Sequence, residues 1–263
     1  MNWRIIRALI VKYAFTCSRN NFRVMDIFFW PVMDLLLWGF VTVYMLKVSN
    51  AIPTFITFFI AAIILWNVLY RAQQVVSVSF LDDVWSRNLL NIFAAPIRAT
   101  EYIGASYLMG LIQSTVVLII LGILAYFVHS LNILTMGLYL GLLFGNLILM
   151  GWSIGLMTTG CILRWGPPAE ALAWAIPGVI QPLSAVFYPI SVLPGWLQPF
   201  AVCFPASHVF EGMREILAGH DVNSAHLLCA FLLNIVYMTL AALMFKSCLD
   251  GAKERGSLVK YGT

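Results

Sequence analysis

The chain has 263 residues, of which 62% are hydrophobic and 10% are charged. A soluble domain carries about 25% charged residues, so the composition excludes an ordinary globular protein and indicates a polytopic membrane protein read as one domain, 1–263. The net charge of +4 does not indicate nucleic acid, because the basic residues lie between apolar runs rather than on one face or tail.

The N-terminus, "MNWRIIRALIVKYAFTCSRNNFR", is basic and amphipathic, without the apolar core and small-residue site of a cleavable signal peptide. Trp3, Ile6, Ile10, Tyr13 and Ala14 share a helical stripe. Residues 1–22 are therefore expected to form a helix resting at the membrane surface.

Spans are expected at 24–46, 53–76, 103–128, 136–162, 170–190 and 226–248, each long enough to cross the hydrocarbon core. With the N-terminus in the cytoplasm, only Lys47 and Arg214 of the 15 basic residues fall outside. That bias places both termini in the cytoplasm. In the first span Asp26, Trp30, Asp34 and Trp38 recur every four residues, and Arg71 of the second is expected to pair with Asp26 or Asp34. Intramembrane charges either pin helices together or line a path, and both roles stay open.

Between spans two and three, within 78–101, Leu81, Val84, Trp85, Leu89 and Phe93 recur at helical spacing. Asp82, Asp83, Arg87, Asn88 and Asn91 fill the other positions, so an amphipathic helix with a charged side offered to a soluble partner is expected. Gly137, Gly141 and Gly145, then Gly151 and Gly155, form small-xxx-small repeats in span four, which permit close helix packing. In span five Glu170, Trp174 and Gln181 share a face, and Pro177-Gly178 predicts a kink. Beyond it, residues 190–222 carry Pro194, Pro199 and Pro205. Two short helices, Pro194–Val202 and Ala206–Leu217, fit there, with Ser207 as a cap and Glu211 and Arg214 near the headgroups.

No phosphate loop, nucleophile elbow or HExxH pair occurs. The histidines and the five cysteines are scattered without metal-ligand spacing.

The loop "FLDDVWSRNLLNIFAAPIRATEYIGA" and the stretch "LSAVFYPISVLPGWLQPFAVCFPASHVFEGMREIL" resemble the ABC-2 family of ATP-binding-cassette transporter permeases, in the nodulation-factor and polysaccharide exporter branch. The second stretch is similar to the family's "GxFYPxxxLP" followed by "lPlxHxxexxR". The resemblance implies an all-α membrane domain of six spans that dimerises with a second copy. It implies coupling to a separate nucleotide-binding ATPase through Asp82, Asp83, Trp85, Arg87 and Asn88, with ATP and magnesium bound by that partner and no cofactor on this chain. It implies an inner-membrane exporter whose outer gate includes Phe187, Tyr188, Pro189, Pro194, His208, Glu211 and Arg214. Asp26, Asp34, Arg71, Glu170 and Gln181 are the path candidates, and the substrate is a lipid-linked glycan or a drug-like amphiphile among membrane lipid. The alternative is a stand-alone secondary transporter or channel, which would show paired broken helices in both halves. A membrane enzyme would need acid–base groups clustered at one face, which the spacing does not supply.

Overall fold

The computed structural model describes residues 2–49, 53–220 and 223–254. Within them every regular element is helical: α1 Trp3–Ser18, α2 Asn21–Ser49, α3 Pro53–Trp85, α4 Leu89–Ala94, α5 Ala99–His129, α6 Leu138–Trp165, α7 Leu172–Leu183, α8 Gln198–Val202, α9 Pro205–Leu217 and α10 Ser224–Glu254. The expectations that rest on Arg255, Lys260, residues 221–222 and the side chains of Lys47 and Phe93 lie outside the described residues.

Five helices are long and apolar enough to span a membrane: α2, α3, α5, α6 and α10. The sixth expected span, 170–190, takes another form. A 3-10 turn over Pro167–Ala171 leads into α7, whose 12 residues extend about 18 Å against a hydrocarbon core of about 30 Å. Pro177 and Pro182 lie within it, and Ala185 turns the chain away at φ 49.

The most buried spans are α3 and α6, at 72% and 61% of their apolar windows, against 22%, 22% and 17% for α2, α5 and α10. Two glycines make that central pairing possible. A Cβ on Gly151 would lie 2.7 Å from the Leu69 carbonyl oxygen, and one on Gly155 would lie 2.9 Å from that of Gln73. Gly141 and Gly145 face open space instead, so only the second of the two repeats packs. Polar bonds add specificity to the bundle, as where Asn234 of α10 donates to the Asn146 carbonyl and side chain of α6, both at 3.0 Å.

Prolines inside helices free the carbonyl four residues back, and α3 supplies replacement donors on both flanks. Pro177 leaves the Ala173 carbonyl without its helical partner. Gln73 and Gln74 donate to it at 3.1 and 2.7 Å. Pro31 of α2 does the same to Ile27, and Arg71 lies 3.5 Å from that carbonyl and 3.2 Å from that of Asp26. At the start of α9, Ser207 does not cap the helix; it sits inside it and donates to the Ala201 carbonyl of α8 at 2.6 Å, tying the two short helices together.

α1 packs along α5 with Ile6, Leu9 and Tyr13 buried. Trp3 and Ala14 of the expected stripe are exposed on the protein surface, with Arg4, Arg7 and Phe15. The buried side of α1 shares a cluster with Phe80 of α3 and Tyr102 and Ala105 of α5.

Candidate functional site

The helices gather most basic residues at one end of the bundle and the prolines of 189–205 at the other. At the basic end α3 runs on to Trp85, absorbing the first half of the expected loop helix. Arg87 then takes a left-handed φ of 54, and α4 follows as a separate six-residue helix. The single amphipathic helix expected over 81–93 is thus broken in two. For a non-glycine residue that backbone costs about 1 kcal/mol, which the surrounding contacts must offset.

Trp85, Ser86 and Arg87 are exposed and Asn88 is half-buried. The Trp85 indole N–H donates to Glu170 Oε2 at 3.0 Å. Glu170, the first residue of the expected fifth span, therefore lies at this end of the molecule. The two acidic residues expected to face a soluble partner turn inward. Asp82 forms a two-pronged ion pair with Arg23 of α2. Asp83, only 1% exposed, pairs with Lys12 of α1 and accepts from the Tyr102 hydroxyl of α5 at 2.9 Å.

Glu101 extends this lashing, accepting from the backbone N–H of Asn2 at 2.6 Å and of Arg98 at 3.0 Å. Burial, and then the nearby Asp83 charge, push the Tyr13 hydroxyl above its usual range, so it stays neutral. Between α1 and the end of α3 lies a groove of about 370 Å³, with Lys12, Thr16, Arg23, Asp82, Trp85 and Ser86 on its walls. The exposed turn thus rests on charges that tie α1, α2, α3 and α5 together.

Within the spans, Arg71 is 5% exposed and its guanidinium stands 3.7 Å from Asp26. Of the two partners left open by the sequence, Asp26 is the one it takes. A cavity of about 80 Å³, bordered by Arg23, Asp26, Arg71 and Gln74, is roomy and polar enough for water. Asp34 lies midway along the span Asn21–Met45 and is exposed on the face that carries Trp30 and Trp38. Placing a carboxylate at such depth costs about 2.5–3.5 kcal/mol, which argues against a lipid-facing setting. Gln181 is half-buried on α7, with no role assigned by its surroundings.

At the proline-rich end no continuous helix crosses 190–212. A short turn, α8 and α9 form a hairpin. Phe187 stacks on Phe59 with ring centroids 4.8 Å apart, and Phe59 in turn meets Trp38 at 6.1 Å. Tyr188 donates to the Pro182 carbonyl at 2.8 Å, and Pro189 and Pro194 are exposed. Glu211 and Arg214, expected near the headgroups, are committed to the protein. Glu211 accepts from the Ile190 N–H at 2.8 Å, while Arg214 donates to the Ala185 and Val186 carbonyls at 3.1 and 3.3 Å. Together they hold the turn that ends α7.

Sequence spacing missed one contact: His208 Nδ1 lies 3.2 Å from His226 Nδ1 of α10. His208 Nε2 is 2.9 Å from the Val202 carbonyl, so that nitrogen carries the proton and Nδ1 accepts from His226. Among the described residues no group of three or more metal-binding side chains is present.

A family model described as ABC-2 type transporter matches residues 9–218, from α1 through α9. No curated protein matches the chain.

Proposed function

Since the chain belongs to the ABC-2 type transporter family, we propose that it is the permease of an exporter that moves a hydrophobic or amphipathic compound across the inner membrane. Lipid-linked glycans and drug-like amphiphiles are the two classes to test. Membrane domains of this family are transport permeases rather than ATPases, and they work with a nucleotide-binding ATPase partner. ATP and magnesium then belong to that partner, and a second copy of this chain completes the path.

The observation that carries this reading is the exposed Trp85–Asn88 turn seated on ion pairs to α1 and α2. Docked there, an ATPase closing on ATP would press on the turn and on α1 as one unit. The lashed helices would then shift together, biasing an inward-open against a closed state. In this reading Asp82 and Asp83 transmit the movement, while Trp85, Ser86 and Arg87 supply the surface. The basic end faces the cytoplasm, as the charge bias requires, so both termini are cytoplasmic.

α7 and the α8–α9 hairpin together then serve as the sixth crossing. α7 enters from the basic end, and the hairpin fills the outer leaflet as a gate around Phe187, Tyr188 and His208. Exposed Val192, Trp196 and Phe200 suit a lipid headgroup boundary. Purification in mild detergent followed by mass spectrometry tests the assignment. A P-loop ATPase at about equal stoichiometry is expected, and a monodisperse permease that never carries one contradicts it.

A further inference from the structure

Asp34 differs from the other charged side chains within the bundle. Arg23 is matched by Asp82, Arg71 by Asp26 and two carbonyls, and Arg214 by Glu211 and two carbonyls. Among the described residues no hydrogen bond or ion pair reaches the Asp34 carboxylate. A second copy of the chain would bring no free basic side chain to that depth. Its basic residues lie toward the helix ends, apart from an Arg71 that is already engaged and buried.

The surroundings of Asp34 suit a particular ligand. Trp30 and Trp38 stand one turn to either side of it on the same slowly turning face, 60% and 44% exposed. Indole faces attract organic cations, most strongly where water is scarce. From Trp38 the aromatic surface continues through Phe59 to Phe187, one of the residues of the proposed gate. A carboxylate between two indoles, joined to an aromatic track, recognises a cation that carries apolar bulk and repels an anion.

We propose that Asp34, flanked by Trp30 and Trp38, is the recognition site for an amphipathic organic cation, and that this is the substrate class of the transporter. The assignment rests on the transport reading above, and it favours a cationic amphiphile over a glycan linked to lipid through phosphate.

Tetraphenylphosphonium and tetraphenylborate, similar in shape and opposite in charge, test it on the detergent-purified permease by equilibrium binding. The wild type is expected to bind the phosphonium and not the borate. Asp34→Asn should weaken phosphonium binding about tenfold or more with an unchanged unfolding temperature, while Asp34→Glu retains it. Equal binding of both ions by the wild type, or an Asp34→Asn protein that binds the cation as well as the wild type, overturns the proposal. Should Asp34→Asn fail to fold, the comparison of the two ions on the wild type decides. The measurement needs no ATPase. A permease that carries its ATPase yet does not prefer the cation refutes this inference alone, whereas a permease that prefers the cation but never co-purifies with an ATPase refutes the ATP-driven reading and leaves the cation site standing.

Discussion

At the scale of single residues, the polar side chains of α3 and the prolines of its neighbours are complementary. Pro177 removes the donor for the Ala173 carbonyl, and Gln73 and Gln74 replace it. A buried carbonyl left without a donor costs about 1–3 kcal/mol. Replacing both glutamines by leucine should destabilise the detergent-solubilised protein by that amount. In a Pro177→Ala background the backbone regains its own N–H, so the same pair of changes should cost less than half as much. Thermal unfolding of the four proteins in a double-mutant cycle checks this; equal costs in both backgrounds would mean that the glutamines serve another purpose. Arg71 was recognisable in the sequence as a partner for an α2 carboxylate, because an intramembrane cation needs one. The glutamines carried no such signal: their acceptor is a backbone group exposed only by a proline about 100 positions away in the chain. The His208–His226 contact was hidden for a similar reason, since it joins two helices across a loop.

At the scale of elements, helical periodicity located the long spans but could not divide the region after α3. Leu81, Val84 and Leu89 do form one buried group, yet the helix that carries them stops at Trp85 and restarts at Leu89. The break depends on a left-handed arginine, a conformation that residue type does not announce. Nor could apolarity alone separate a crossing helix from the shortened α7. The glycine repeats were visible, but which of them packs depends on the rotation of α6. Gly155→Ala should therefore cost about 1–3 kcal/mol through overpacking against Val76 and the Gln73 carbonyl. Gly141→Ala, at an open position, should be neutral or slightly stabilising through helix propensity. Unfolding temperatures of the two variants separate the cases, and similar losses in both would place the α6 contact elsewhere.

For the whole molecule, composition alone fixed the class: a chain so poor in charge has membrane as its solvent. The all-helical architecture follows, because helices satisfy their own backbone groups in lipid. Which faces remain exposed is a different matter, since they are defined by what the chain assembles with. α2 and α10 bury little of themselves, and α2 carries Asp34 on its exposed face. In this account the molecule is a lever with its input at the Trp85–Asn88 turn and its output at the proline-rich hairpin, joined by α3 and the ion pairs that bind α1 and α2 to it.

Site-directed cross-linking tests that claim most directly. In a protein whose exposed Cys203 and Cys229 are replaced by serine, a cysteine at Arg87 marks the input turn. A cysteine at Tyr126, 56% exposed near the other end of α5, marks the opposite end. With the co-expressed ATPase present, a short bifunctional reagent should join the ATPase to Arg87→Cys and not to Tyr126→Cys, with a yield that changes when ATP is added. A product from Tyr126→Cys and none from Arg87→Cys would contradict the account.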